Sequence, residues 1–305
     1  MKTRKWLGLI PPTLAVAGMV ALAGCNGSSG SATGQMSLGV TDTPVDSAAK
    51  VVVAFTGVEL QGPNGLITEK FSKEKTIDLL SLQGNASSQL LDNVTVDAGD
   101  YQWIRLDLDL SKSYIQLDNG NQYPLTIPSG AQTGLKLVSG FTVAQGSKTD
   151  FVIDFNLRKA LTMTANQSTG AVTYILKPAL RLINKQKVGS ISGTASANLT
   201  VNGTAISSTS CSPSVYVYSG TSITPEGFDA TVSGGTQPLT SATLKLNSNT
   251  GNYDYTVGFL AAGTYSLAVT CAANDTSGAT SFYYTPTPPT STSVTAGSTT
   301  TVDFQ

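Results

Sequence analysis

Apolar and polar residues alternate along most of the chain after residue 35. Met36, Leu38 and Val40 show the two-residue period of a strand with one buried face. Asp42-Thr43-Pro44 ends that strand. Val51, Val53 and Phe55 repeat the pattern, and Val58 and Leu60 continue it on the opposite parity. The slip falls at Thr56-Gly57, where glycine permits a bulge. Gly62-Pro63-Asn64-Gly65 reads as a turn. Ile77–Leu82 followed by Ser87–Leu91 predicts the one short helix. The clearest strand is Tyr101–Leu110, with Ile104, Leu106, Leu108 and Leu110 on one face and Trp103, Arg105, Asp107 and Asp109 on the other. Asn119-Gly120 predicts a two-residue hairpin loop. Strands are expected at Leu135–Val143, Phe151–Leu157 and Val172–Ile183, with a turn at Gln167–Gly170. Pro178 in the last strand marks an edge or a bulge.

The remaining chain, 188–305, carries the same period. Cys211, Val215 and Val217 fall on one strand face, and Leu267, Val269 and Cys271 on another. Two short phrases recur. Ala-Gly-x-Tyr precedes an alternating strand at Ala98–Tyr101 and again at Ala262–Tyr265. Val-x-x-Gly-Ser precedes a strand containing Asp-Phe at Val143–Phe155 and at Val294–Phe304. The intervals differ, so this is no regular repeat. Tyr283–Pro289 is rich in proline and reads as an inter-strand loop rather than a docking segment.

Before this β-rich region lies a different pattern. Lys2, Arg4 and Lys5 precede an apolar stretch, Thr13–Leu22, too short for a retained bilayer span. Leu22-Ala23-Gly24-Cys25 resembles a bacterial lipobox, in which the cysteine thiol receives a diacylglycerol and becomes the mature N-terminus. Residues 1–24 are then the signal peptide, and 25–35 the lipidated Cys25 and a flexible Ser/Gly tether. Several acyl chains on one residue anchor stably, unlike a single myristoyl chain. By resemblance to Gram-negative lipoproteins, Asn26 rather than aspartate at the next position implies sorting to the outer membrane. The face of that membrane is left open.

Charge and cysteine count fit an exported protein. Of 18 basic residues, Lys2, Arg4 and Lys5 precede the cut, leaving 15 against 19 acidic ones and a net charge of −4. That balance offers no phosphate-neutralising patch, so no nucleic-acid partner is expected. The chain has no histidine. This removes the usual general base and a common transition-metal ligand. With Cys25 lipidated, Cys211 and Cys271 remain as one pair in an oxidising compartment, the competing reading being two free thiols. Their matching strand faces suit a core disulfide, which closes 60 residues and is worth about 4 kcal/mol in the chain-entropy view.

Candidate chemistry is sparse. Arg105, Asp107 and Asp109 form one charged stripe, and Asp154, Asn156 and Arg158 another. Neighbouring strands would merge them, with Trp103 beside them, into a ligand surface suited to a sugar; the alternative is a solvated sheet face with cross-strand ion pairs. Glycosidase chemistry needs one carboxyl kept protonated, whereas Arg105 favours ionised acids. No catalytic residue is assigned. Asp42, Asp46 and Asp118–Asn121 offer oxygen ligands but no twelve-residue calcium loop, so no metal and no cofactor is assigned.

The order of Leu38–Asp46, Ile77–Leu80, Ala98–Leu106, Pro128-Ser129-Gly130, Gly134–Leu137, Asp154–Lys159 and Lys177–Leu182 resembles domain of unknown function 4382, a family of envelope lipoproteins, over roughly residues 35–184. The family implies no activity. Gly189–Thr194, Thr250–Tyr255 with Leu260–Leu267 as a central hairpin, and Val294–Phe304 resemble the carboxypeptidase-regulatory-like (transthyretin-like) sandwiches. The expected fold is therefore all-β: two immunoglobulin-like or transthyretin-like sandwiches at 36–185 and 188–305. The expected role is a non-catalytic, lipid-anchored binding or structural protein of the cell envelope, with a glycan or an envelope protein as partner. The alternatives are a subunit or scaffold of an envelope complex and a glycan-active enzyme using carboxylates alone.

Overall fold

The computed structural model describes residues 32–43, 48–128, 134–165 and 170–305. The lipobox, most of the tether, Asp46 and most of the Gln167–Gly170 turn lie outside them. The strands of the first lobe are, in order, β1 (Thr33–Thr43), β2 (Ala48–Gly62), β3 (Gly65–Asp78), β4 (Ser88–Asp97), β5 (Gly99–Tyr101), β6 (Trp103–Leu108), β7 (Tyr114–Leu117), β8 (Gln122–Thr126), β9 (Leu135–Leu137), β10 (Phe141–Val143), β11 (Lys148–Asn156), β12 (Leu161–Ala165), β13 (Val172–Leu176) and β14 (Leu180–Asn184). A single helical turn, α1 (Leu157–Ala160), follows β11. The second lobe has β15 (Val188–Ala195), β16 (Thr200–Val201), β17 (Thr204–Ala205), β18 (Pro213–Ser219), β19 (Thr240–Thr243), β20 (Lys245–Leu246), β21 (Tyr253–Ala261), β22 (Gly263–Cys271), β23 (Thr285–Val294) and β24 (Thr299–Thr301).

Each lobe is built on two main sheets enclosing an apolar core. In the first, β14-β11-β1-β4 faces β12-β13-β8-β7-β2-β6-β9, with β3 on the other side of β2. Met36, Leu38, Val40, Ile153 and Phe155 from one sheet meet Val53, Phe55, Leu60, Ile104 and Leu106 from the other. Phe55 and Phe155 touch edge to face at 6.3 Å. In the second lobe, β20-β21-β15-β24 faces β19-β18-β22-β23 around Ile191, Val215, Val217, Tyr255, Val257, Leu267 and Val269. Cys211 and Cys271 form a disulfide within this core, with Cα atoms 4.9 Å apart. The chain is all-β, and residues 32–305 form one compact unit.

The β2 bulge lies where the parity slips. Pairing with both β3 and β6 shifts between Phe55 and Gly57. A Cβ on Gly57 would lie 2.9 Å from the Glu69 carbonyl, so the bulge needs glycine.

The recurring phrases mark equivalent joints. At both Ala-Gly-x-Tyr sites the chain leaves one sheet for the facing one, and the tyrosine closes the corner. The Tyr101 hydroxyl donates to the Asp97 carbonyl (2.8 Å), and the Tyr265 hydroxyl to the Ala261 carbonyl (2.7 Å). Such a corner holds the turn between sheets by one half-buried hydrogen bond. The Val-x-x-Gly-Ser sites clamp the first strand of each lobe. The Gly146 N–H donates to the Thr33 carbonyl and the Gln35 N–H to the Ser147 carbonyl. In the second lobe Gly297 donates to Val188, and Ser190 to Ser298. In both, the following strand runs parallel to the lobe's first strand, β11 beside β1 and β24 beside β15. The two lobes thus share a framework as well as similar turns.

The structure departs from the expected elements where backbone pairing overrides the side-chain pattern. β1 begins at Thr33, inside the expected tether, because β4 and β11 bond its backbone without needing apolar side chains. It is buried on both faces. Ser37 accepts the Asn93 N–H, and the Thr41 hydroxyl meets the Leu82 and Ala86 carbonyls. The expected helix shrinks to the 3-10 turn Leu79–Ser81, which Asp78 caps by accepting the Leu80 N–H; Ser88–Leu91 instead opens β4. The Asn119-Gly120 hairpin forms, but its loop spans 118–120, closed by the Leu117 N–H on the Asn121 carbonyl. Leu135–Val143 divides into β9 and β10, and Val172–Ile183 into β13 and β14 on facing sheets, with Pro178 at the crossing. The expected central hairpin of the second lobe also crosses. β21 and β22 are consecutive but lie in opposite sheets.

The outer face of the β14-β11-β1-β4 sheet carries the second lobe. Val152 and Ile183 pack on Phe259 and Val188. The Thr43 and Thr240 hydroxyls are 2.9 Å apart, and Lys159 reaches Gln237 at 3.2 Å.

Candidate functional site

Strand β6 sets its charged stripe by alternation. Ile104, Leu106 and Leu108 are buried, and Trp103, Arg105 and Asp107 project from the other face. On that face every charge of the stripe meets a neighbour. Arg105 pairs with Glu59 at 2.7 Å, and Asp107 with Lys70 at 2.8 Å. Trp103 lies under two cations, the Arg105 guanidinium at 4.9 Å and the Lys136 ammonium at 4.2 Å. Asp109 leaves the strand. It caps the 3-10 turn Leu110–Lys112 by accepting the Ser111 N–H, and pairs with Lys112 at 3.2 Å. Hydrogen bonds from Ser111 and Lys112 hold its carboxyl at about 2.

The second stripe does not join the first. Asp154 and Asn156 belong to β11, on the sheet facing that of β6, so the core separates the two groups. Asp154 is buried because the second lobe covers its side of the sheet. It pairs with Arg181 at 2.8 Å and accepts a hydrogen bond from Thr43 at 3.3 Å. Asn156 caps α1 by accepting the Lys159 N–H. Arg158 reaches over the Tyr216 and Phe228 rings of the second lobe, at 5.4 and 5.5 Å. The seven residues are therefore a paired sheet face and part of the contact between lobes, not one ligand surface. Their even spacing shows strand parity but not which sheet a strand enters.

The four-residue β19 and two-residue β20 end their sheets, and the Gln83-Gly84 loop of the first lobe lies against them. A cleft of about 360 Å³ opens there, within the range of small-molecule sites. Its wall includes Gln83, Ser241, Thr243, Lys245, Asp254 and Thr256. The Asn247 side chain donates to one Asp254 carboxylate oxygen at 2.7 Å and fixes that carboxylate. No periodicity marks these residues, because residue 83 and residues 241–256 meet only in the folded chain.

Ser241 and Thr256 also border a smaller hollow that reaches Asp42 and Asp154. Asp42, next to the end of β1, has its core-facing parity and is buried, with neither carboxylate oxygen hydrogen-bonded. Burial drives its carboxyl well above the usual range, and the charges of Asp154 and Asp78 push the same way. Among the described residues no three acidic, histidine or cysteine side chains cluster as a metal site. Asp42 and Asp118 lie apart, one buried and one on an exposed loop.

Comparison with known proteins covers the first lobe most directly. Residues 33–178 match the family model Domain of unknown function (DUF4382). The chain carries a DUF4382 domain. The matched region runs from the first residue of β1 to the Pro178 crossing and includes the bulge and the first tyrosine corner. No curated protein matches the sequence. Among solved structures, the chain is similar to a leucine-rich repeat protein from Bacteroides thetaiotaomicron VPI-5482 at 16% identity and TM-score 0.25. That match covers 90% of this chain and 26% of the other, so the chain spans about a quarter of that protein's length. The minor pilin GBS52 from Streptococcus agalactiae matches at 11% identity and TM-score 0.20, covering 88% and 94% of the two chains. The fimbrial anchor protein Mfa2 from Porphyromonas gingivalis matches at 12% identity and TM-score 0.17, covering 79% of each.

Proposed function

We propose that this protein is a lipid-anchored envelope protein whose two β-sandwich lobes serve binding or support rather than catalysis. The observation that carries the reading is the lipobox pattern Leu22-Ala23-Gly24-Cys25 placed just ahead of a folded strand. Residues 26–32 reach at most roughly 24 Å when fully extended. A lipid on Cys25 would hold β1 close to the bilayer, with outer-membrane sorting following from Asn26. The lobes are read as separate domains joined at Lys185–Lys187, the second as a carboxypeptidase-regulatory-like sandwich on the phrases quoted above.

The carboxylates singled out in the sequence support a non-catalytic role. An acid–base pair for glycan cleavage needs one raised carboxyl open to substrate. Asp107 and Asp154 are salt-bridged, and Asp109 is held low. Asp42 is raised but buried.

Growing producer cells with an alkyne-bearing palmitate analogue tests the anchor. The wild-type chain should take up label and partition with membranes, and Cys25→Ala should do neither. Label retained by Cys25→Ala would overturn the assignment.

A further inference from the structure

We propose that the cleft between β19, β20 and the Gln83-Gly84 loop is a binding site for an uncharged, hydroxyl-rich ligand the size of one or two sugar units. This deepens the binding role proposed above by naming its site and ligand class.

The polar groups of the cleft contrast with those around Trp103. The Trp103 stripe uses its charges on its own neighbours. In the cleft, the side chains of Gln83, Ser241, Thr243, Lys245 and Thr256 make no hydrogen bond or ion pair with any described residue. The Ser241 hydroxyl is unpartnered too, but it is buried beneath the wall and is not counted among the groups a ligand reaches. Asp254 uses one carboxylate oxygen on Asn247 and leaves the other open. Unpartnered polar groups facing a concave space are costly unless water or a ligand completes them.

The backbone adds to this set. β19 pairs only with β18, and β20 only with β21, so each leaves one edge of its N–H and C=O groups without a strand. These edges border the cleft. The Gln83-Gly84 loop and the shortness of β19 leave little length for an added peptide strand.

The chemistry of this set selects the ligand. Lys245 is a donor, Asp254 an acceptor, and the Gln83 amide and the Thr243 and Thr256 hydroxyls are both. Hydroxyl groups on a ligand can likewise donate and accept, so a polyol matches the mixed inventory. One ammonium and one carboxylate cancel, so the wall favours no net ligand charge. A phosphate or carboxylate ligand would face Asp254, and a cationic one Lys245. Asn247 fixes the Asp254 carboxylate, which limits the ordering cost on binding.

The test uses the full-length chain in a polyoxyethylene detergent, because alkyl glycosides would compete. Saturation-transfer NMR and calorimetric titration are run with glucose, galactose, mannose, N-acetylglucosamine and their common disaccharides, with glycerol as the small-polyol control. At least one saccharide should bind in preference to glycerol. Asp254→Ala and Gln83→Ala should each weaken it about tenfold, the loss expected for one hydrogen bond in a buried contact. Trp103→Ala should leave the affinity within a factor of about two, since it lies outside the cleft wall. Unchanged melting temperatures show that the exposed Asp254 and half-buried Gln83 variants still fold.

Absence of binding across the panel would overturn the proposal, as would binding no better than glycerol. Binding that survives Asp254→Ala and Gln83→Ala but is lost in Trp103→Ala would overturn this site while leaving the binding role intact. The anchor is judged separately by palmitate labelling.

Discussion

Replacing Asp42 by asparagine should stabilise the protein, increasingly so as pH rises. The acid lies next to the end of β1 with neither carboxylate oxygen hydrogen-bonded. Burial is the largest cause of its raised carboxyl, followed by the charges of Asp154 and Asp78. Arg181 pairs with Asp154, and Asp78 is occupied by the Val51 and Leu80 N–H groups. The Thr43 and Leu157 amides oppose the rise, but neither forms a well-aligned hydrogen bond with Asp42. In the unfolded chain an aspartate titrates near ~3.9. Between that value and the higher folded one, the folded state holds a proton that the unfolded state has lost. Stability is therefore fully present below the unfolded value and falls as pH rises, by about 1.4 kcal/mol per pH unit, until Asp42 ionises in the folded state. Asparagine has no such titration, so the advantage of Asp42→Asn should grow over that window and then level off. Urea unfolding of both proteins at half-unit steps from pH 4 to 8, with the disulfide oxidised, reads the difference directly. An advantage that does not change with pH, or an asparagine variant weaker at pH 7, would refute the reasoning and show that Asp42 is ionised with a compensating partner.

Reducing Cys211–Cys271 should cost about 4 kcal/mol, read as a lower urea midpoint, and intact oxidised protein should weigh two hydrogens less than reduced protein. Tyr101→Phe and Tyr265→Phe remove the same corner hydrogen bond from each lobe and should each cost about 1 kcal/mol; a negligible loss at either would remove the corner's role there. Asp109 shows the opposite pH sign to Asp42. Its carboxyl is held at about 2, so any stabilisation is present above the unfolded value and is lost as pH falls toward 2. Carboxyl-carbon NMR should find its midpoint near 2, whereas a midpoint near the ordinary aspartate value would show that the Ser111 and Lys112 contacts do not hold in solution.

The lobe framework was legible because it depends on local features. Alternation exposed the strands, the parity slip located the bulge at Gly57, and two recurring phrases marked the tyrosine corners and strand clamps. Cysteine count marked the Cys211–Cys271 pair; strand parity held for Cys271 in β22, whereas Cys211 lies in the turn before β18. Each of these signals concerns one strand face or one turn, and neighbouring residues write it directly.

What the sequence did not show was assignment in space. β6 and β11 carry similar charged alternation, yet they enter facing sheets, so Asp154 became part of the contact between lobes instead of extending the Trp103 surface. The expected helix became a 3-10 turn because β3 and β4 claimed the residues on either side. β1 reached back to Thr33 through backbone bonds that no side-chain pattern records. The cleft joins Gln83 to residues from 241 to 256, and Asp42 is buried through contacts that its own strand does not encode. By itself the sequence determined the anchor expectation, the strand periods and the recurrence of the turn phrases, because these depend on short-range order. Tertiary structure alone decided which faces meet and which polar groups stay unpartnered, because those outcomes depend on distant segments packing together.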